Sequence, residues 1–382
     1  MLLQEYITDI AAGPFGSNLK VSCFVEKGFP IIDGANLKGY KVTDNITKFV
    51  TEEKARSLHR SIAKRGDIVV TISGNVGQIS YIPDDSEYEE YLVSQRQFRA
   101  TFDRDKVNVA FLVYYFHTRE GQHKILSFAN QVGVPALAQP LKNFKNISIE
   151  LPSKDRQDAI AAYFDNIEDK IAINRRICKN LEAQAQALFK HWFIDFAPFK
   201  DGKFVESDLG MIPEGWKLGT LSDLIELKYG KDHKKLKEGN IPAYGSAGLM
   251  RYVDNYLYQG ESVLIPRKGT LNNVMLVDEA FWTVDTMFYT IPKQTHVLKY
   301  VYLKLSRIDF TKLNVGTSIP SNSTAQLNKI NVIIPPSNVL MEFDDLLENI
   351  IKMKRHLIKE AASLSKLRDT LLPKLMSGQI KL

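Results

Sequence analysis

Residues 147–193 read ISIELPSKDRQDAIAAYFDNIEDKIAINRRICKNLEAQAQALFKHWF, and their pattern sets the architecture. After Pro152, the positions Ile160, Phe164, Ile167, Ile171, Asn174, Cys178, Leu181, Ala185, Leu188 and Trp192 recur at alternating steps of four and three. All but Asn174 are apolar, the signature of a heptad a/d seam on one long helix. At ~1.5 Å per residue such a helix is roughly 60 Å long. The same stretch returns 183 residues later. ISIELP (Ile147–Pro152) becomes INVIIP (Ile330–Pro335), Phe164-Asp165-Asn166-Ile167 falls on Leu347-Glu348-Asn349-Ile350, and Val132-Gly133 matches Val315-Gly316. Shifted by 183, the seam becomes Phe343, Leu347, Ile350, Lys354, Leu357, Ala361, Leu364, Arg368, Leu371 and Leu375. Pro373 is expected to end or kink this second helix near its last turn.

Upstream of each helix the sequence changes character. Gly66 to Ile72 (GDIVVTI) and Ser262 to Pro266 (SVLIP) are short β-rich runs among Gly, Pro and Asn. Gly66-Asp67-Ile68-Val69 aligns with Gly260-Glu261-Ser262-Val263 at an offset of 194, and Pro30 with Pro242 at 212. One ancestral unit used twice explains both halves. The expected fold is α+β: two globular α/β modules separated by two long antiparallel helices that form a coiled-coil spacer with pseudo-two-fold symmetry. The divisions are 1–151 for the first module, 152–196 for the central helix, 197–335 for the second module and 336–382 for the C-terminal helix. Asn174, Lys354 and Arg368, the polar seam members, would fix register and orientation. The competing arrangement packs each helix on its own module alone.

Composition narrows the function. The 382 residues carry 50 Lys+Arg against 44 Asp+Glu, a net +6, with 44% hydrophobic residues. Ile351–Leu382 holds eight basic and two acidic residues, so the rest of the chain sums to zero. The C-terminal helix is therefore expected to face DNA or an acidic protein surface, through residues such as Lys352, Lys359 and Lys366. Two cysteines, Cys23 and Cys178, are too few for a disulfide framework or a zinc site. Without a signal-like N-terminus or an apolar run longer than that around Val109–Phe116, a soluble cytoplasmic location with no membrane association is expected. No phosphate-binding Gly-x-x-x-x-Gly-Lys-Ser/Thr loop occurs. An Asn/Asp-Pro-Pro-aromatic methyltransferase motif is also missing, Pro83-Asp84 lacks an acidic-x-Lys partner, and the seven histidines are scattered. A binding protein fits better than an enzyme.

Loop chemistry points to nucleic acid. Glycines allow close backbone approach, while amides, hydroxyls and Arg/Lys suit phosphates and base edges. On that basis the candidate DNA contacts in the first module are Ser17, Asn18 and Lys20, then Ser73, Asn75 and Gln78, then Arg96, Gln97 and Arg99. In the second they are Arg267, Lys268, Thr270, Asn272 and Asn273, with Thr317 and Ser318. Ordinary turns and an exposed edge strand would have the same composition.

The stretch Asn174-Arg175-Arg176-Ile177 with Leu181–Phe196 (LEAQAQALFKHWFIDF) resembles the central helix of type I restriction-modification specificity subunits. Ile212-Pro213-Glu214-Gly215-Trp216 is similar to the approach to that family's second target-recognition domain, and Leu367–Gly378 (LRDTLLPKLMSG) to its C-terminal signature. Gly13–Ser17 resembles a frequent target-recognition loop. The resemblance spans the chain. It implies two target-recognition domains that each read half of a split, asymmetric sequence in double-stranded DNA, held apart by helices that set the unread spacer. It further implies two methyltransferase subunits using S-adenosylmethionine on adenine, restriction subunits using ATP and Mg²⁺, and no cofactor in this chain. The extruded adenine would be handled by a partner. The first module departs from the pattern by beginning at Leu2 with no lead-in like Gly210–Trp216. A coiled-coil adaptor that binds no DNA is the alternative; steeply salt-dependent DNA affinity of the assembled complex separates the two.

Overall fold

A computed structural model describes residues 1–130, 134–312 and 321–382. The chain forms two compact units, residues 1–173 with 360–382, and residues 174–359. Each contains a sheet-based module together with part of both long helices.

In the first unit the strands β1 (Ile7–Ala12), β2 (Phe29–Ile32), β3 (Ile68–Thr71), β4 (Ile79–Tyr81), β5 (Glu90–Val93) and β6 (Gln97–Phe102) build two sheets. One has the antiparallel order β1-β6-β3-β4; the other contains β2 beside β5, paired in parallel. Helix α1 (Val109–Phe116, VAFLVYYF) covers the first sheet. Its aromatic and β-branched residues are poor helix formers, but every one is buried, and the Asn108 side chain caps the helix by accepting from the Phe111 N–H at 3.0 Å. The long helix α2 (Lys154–Phe193, 40 residues) begins two residues after Pro152 with Asp155 in its first turn and ends with Lys190 and His191, charges that complement the helix dipole. Ile160, Phe164, Ile167 and Ile171 join Ile68, Val70, Phe98 and the α1 residues in one core.

The second unit repeats this plan with β7 (Ile225–Tyr229), β8 (Ile241–Gly245), β9 (Tyr258–Pro266), β10 (Met275–Thr283), β11 (Met287–Pro292) and α3 (Leu298–Ser306). Its sheet order is β7-β11-β9-β10-β8, with strand Gly248–Val253 at the edge, and β8 again pairs in parallel. Strand register fixes the correspondence. Val70 pairs with Phe98 as Ile265 pairs with Phe288, and Thr71 with Gln97 as Pro266 with Met287. The offset through this strand is therefore 195 rather than the expected 194. A slip of one residue would exchange the two faces of the strand, so the ladder corrects the Gly66/Gly260 alignment. Leu2 bridges Ser148 where Lys217–Thr220 pairs with Asn331–Ile334 over four residues, and the lead-in Gly210–Trp216 adds a hairpin of the second module, Gly210–Pro213 paired with Phe204–Ser207.

Helix α4 (Ser337–Met376, 40 residues) runs antiparallel to α2 within both units. Lys170 meets Glu360 at 3.5 Å and Arg368 bonds Glu168 in the first. In the second, the Cys178 thiol reaches the Lys354 carbonyl at 3.7 Å, and Phe189 and Phe193 lie against Phe343. The helix passes Pro373 by less than one turn, and Gly378, at φ +73°, closes it. The seam is wider than a strict a/d stripe. Phe343, Leu347 and Leu357 are buried, but Leu181, Leu188, Ile350, Leu364 and Leu371 are only half-buried, and Phe189, Phe193, Ile351 and Leu372 take up the burial. Each helix packs against its partner helix and a sheet module at once, which demands a broader apolar face.

The polar seam residues all point inward. Asn174 is buried. Lys354 bonds Glu182 and the Tyr302 hydroxyl, and Arg368 lies 5.3 Å over the Tyr40 ring. Lys352, Lys359 and Lys366 are exposed on α4 as expected, but two of the three are engaged by acids of the same chain. Arg355 pairs with Glu261 and Asp278, Lys359 with Glu279 and Lys352 with Glu348, while Lys366 and Lys374 remain exposed. Much of the helix's positive charge neutralises acids of its own chain.

Candidate nucleic-acid interface

Three loops meet beside the end of β2 at one end of the first module's sheets. The loop after β1 leaves at Gly13, whose N–H donates to the Gln97 carbonyl at 2.8 Å. The turn before β6 is closed by Gln97 N–H to Ser94 carbonyl at 3.1 Å and tied to β2 by Ser94 N–H to Ile32 carbonyl at 2.9 Å. The loop after β3 is held by Ile72 N–H to Arg96 carbonyl at 2.7 Å. The second module makes the same four bonds: Gly230 to Met287, Met287 to Val284, Val284 to Tyr244 and Arg267 to Thr286, at 2.9, 3.0, 3.0 and 2.8 Å. Glycine is required at both origins. A Cβ on Gly13 would lie 1.9 Å from the Ser94 oxygen, and one on Gly230 2.0 Å from that of Val284. Gly74 and Gly269 share φ near +87° and +86°.

On this common frame the side chains differ. In the first module the loops enclose a cleft of about 710 Å³ lined by Asp33, Lys48, Thr71, Ser73, Asn75, Gln78, Arg96 and Gln97, with Leu19 and Val21 at its lip. The floor is a polar cluster. The Thr71 hydroxyl lies 3.2 Å from Gln78 Oε1, the Ser94 hydroxyl bonds Gln97 Oε1, and Gln97 is buried. Burial would raise the Asp33 carboxyl, but Lys48 at 2.6 Å and the Ala35 N–H at 2.8 Å hold it below its ordinary value. Asn75 and Arg96 are exposed, and no ion pair engages Arg96 among the described residues. In the second module Met287, Pro266 and Val284 stand where Gln97, Thr71 and Ser94 stand in the first, an apolar floor under a cationic rim. Arg267 lies 5.7 Å over the Tyr229 ring, and Lys268 and Thr270 are exposed.

The sequence candidates thus separate. Ser17, Asn18 and Lys20 are exposed on the loop beside the cleft, and Ser73, Asn75, Gln78, Arg96 and Gln97 line it. Arg99 does not belong with them: β6 is an inner strand, and Arg99 is 7% exposed, bonded to Asp9 at 2.6 Å and to the Arg60 carbonyl at 3.1 Å, with Asp67 at 3.9 Å. Burial pushes the Asp67 carboxyl up, against the Thr101 hydroxyl and Lys64 N–H that bond it. Asn272 is also structural. It donates to Asp309 at 3.0 Å and accepts from the Phe310 N–H at 2.8 Å, and with the Thr311 hydroxyl it holds the Asp309 carboxyl down at about 2. Asn273 donates to the Ser246 carbonyl at 2.9 Å. Thr317 and Ser318 lie outside the described residues. Sequence reasoning missed Asp33, Lys48 and Thr71, which carry no local signal, and the exposed lysines of Lys231–Lys237 (KDHKKLK), whose charge run was legible.

Among the described residues no group of His, Cys, Asp and Glu could hold a metal ion, and no helix is long and apolar enough to cross a membrane. The sequence profile of the type I restriction modification DNA specificity domain matches residues 17–183 and 213–361. The chain is 24% identical over 360 residues to the type I restriction enzyme MjaIX specificity subunit of Methanocaldococcus jannaschii, covering 87% of this chain and 82% of that one. It is 22% identical over 402 residues to the HindI specificity subunit of Haemophilus influenzae, covering 83% and 87%. The crystal structure of the S subunit of a type I restriction-modification system from M. genitalium shares the fold, with a TM-score of 0.60 at 17% identity over 98% of this chain and 95% of that one. Two profile matches, one on each copy of a duplicated scaffold with paired helices, make the chain a member of the type I restriction-modification specificity family.

Proposed function

We propose that this chain is the non-catalytic specificity subunit of a type I restriction-modification complex and reads a bipartite, asymmetric site in double-stranded DNA. The observation that carries the reading is one loop frame built twice with different chemistry. An amide- and hydroxyl-floored cleft in the first module and an apolar floor under a cationic rim in the second suit unlike half-sites. Duplication supplies the pseudo-symmetry that a dimeric repressor has, and divergence of the loops frees the half-sites from being palindromic. Ser17, Asn18, Lys20, Asn75, Gln78 and Arg96 would contact the first half-site, and Arg267, Lys268 and Thr270 the second.

Chemistry belongs to partners in this reading. Two methyltransferase subunits would bring S-adenosylmethionine to adenine, and restriction subunits would bring ATP and Mg²⁺. The test is to assemble the chain with its methyltransferase and map protection and methylation. A split motif with two unlike halves is the expected result; a continuous motif, or none, overturns the proposal. Binding should weaken steeply with salt as phosphate contacts release counterions.

A further inference from the structure

The loops that leave at Gly13 and Gly230 each run six residues from the anchoring glycine to a packed leucine, but their tips are opposite in chemistry, and the first loop is five residues longer before its strand, Phe29–Ile32 against Ile241–Gly245. Gly13-Pro14-Phe15-Gly16-Ser17-Asn18-Leu19-Lys20 stands where Gly230-Lys231-Asp232-His233-Lys234-Lys235-Leu236-Lys237 stands in the other module. Leu19 is buried, and Leu236 packs on the Ala243–Val253–Trp282 core. Between the anchors the first module presents Phe15, 83% exposed, the most exposed large apolar side chain among the described residues, with Val21 at 81%. The second presents Asp232, Lys234 and Lys235, and Glu238 in the place of Val21. Lys231, Lys234 and Lys235 are exposed without an ion pair among the described residues.

Phe15 is held out by its surroundings. Pro14 precedes it and is buried, a 3₁₀ turn (Gly16–Asn18) follows with the Asn18 N–H on the Phe15 carbonyl at 2.8 Å, and the Gln95 amide donates to the Leu19 carbonyl at 2.7 Å. Gln95 thereby fastens the loop to the turn that carries Arg96 and Gln97 into the cleft. A ring fixed beside an amide-lined cleft has few apolar partners on a duplex, whose phosphates and groove edges are largely polar. The base faces, reached by opening a step, are the largest of them. Resting on the DNA-reading proposal above, we infer that Phe15 is a wedge that enters the base stack at the half-site read by the first module, whereas the equivalent loop of the second module grips phosphate through Lys234 and Lys235. The two half-sites are then deformed unequally.

The test uses the chain assembled with its methyltransferase and duplexes carrying 2-aminopurine at successive positions of either half-site other than the methylated adenines. The intact complex raises fluorescence several-fold at one step of the first half-site. Phe15→Ala returns that step to the level of free duplex and weakens binding roughly tenfold; Phe15→Trp keeps both. Replacing Lys234 and Lys235 by Ala leaves the fluorescence unchanged and lowers the salt dependence by about two counterions. Protection of a bipartite site with the same fluorescence in the Phe15→Ala complex overturns the wedge alone. So does a loss of preference for one thymine with no fluorescence response in the intact complex, which would make Phe15 a methyl contact. A complex that protects no bipartite site overturns both readings.

Discussion

Arg96 and Arg99 are three residues apart and have opposite fates. Arg96 lies in the turn before β6 and opens into the cleft, whereas Arg99 lies within an inner strand and neutralises Asp9 beside the buried Asp67. Removing Arg99 strands a buried carboxylate, so Arg99→Ala should cost about 3–5 kcal/mol in urea unfolding. Arg96→Ala should leave stability within about 0.5 kcal/mol and weaken binding of the cognate site by about 1–3 kcal/mol, relaxing preference at one position. Equal destabilisation by the two would refute the assignment. The run Ser94–Arg99 offered no way to tell them apart, because the distinction depends on whether β6 is an edge or a centre strand, and its neighbours β1 and β3 are distant in sequence. Gly74 and Gly269 were legible for the opposite reason, because a positive φ in a turn is a local backbone demand, whereas the need for glycine at Gly13 comes from the distant Ser94 oxygen.

The anchoring of α4 to the second module depends on an ion cluster at the scale of elements. Lys299 on α3 is buried and meets Asp344 at 2.8 Å and Glu348 at 2.7 Å, with His296 Nδ1 3.2 Å from Asp344. Its bonds to Lys299 and Lys352 hold the Glu348 carboxyl at about 2, below its ordinary 4.5. A carboxylate depressed on folding stabilises the fold above about pH 4.5, and that contribution disappears as pH falls toward about 2. Glu348→Gln should therefore be less stable than the parent chain near pH 6, with the gap closing near pH 2–3 in urea titrations; a gap independent of pH would place the effect in packing instead. Glu348 is partly solvated, so the gap should be small. None of this cluster was visible in the heptad pattern, which registers apolar spacing only. That pattern did place both helices, and it identified Lys354 and Arg368 as the polar seam positions, because a charge recurring on an apolar stripe stands out. It gave the seam too narrow a face because packing on two neighbours cannot be inferred from one helix.

At the scale of the molecule, the duplication decides how specificity can be exchanged. The boundaries of the compact units fall inside the two helices, and the first core combines Phe111, Tyr114 and Phe116 of the module with Ile160, Phe164 and Ile171 of α2 and Leu372 and Leu375 of α4. Tyr81 and Tyr114 of the module also donate to the same Asp165 oxygen on α2, at 2.7 and 2.9 Å. A replacement of residues 1–150 by those of a relative should change one half-site only, yet it cuts this core and both tyrosine bonds wherever the donor's residues differ. A replacement of 1–173 together with 360–382 carries the core intact. The second chimera should retain the parent's unfolding midpoint while the first loses several degrees, about 1–2 kcal/mol for each poorly matched large side chain. Methylation maps of the two should show the same altered half-site beside an unchanged second one. Stability equal in both chimeras would show that module and helices are interchangeable parts, and a change in both half-sites would show that each module does not read its half alone.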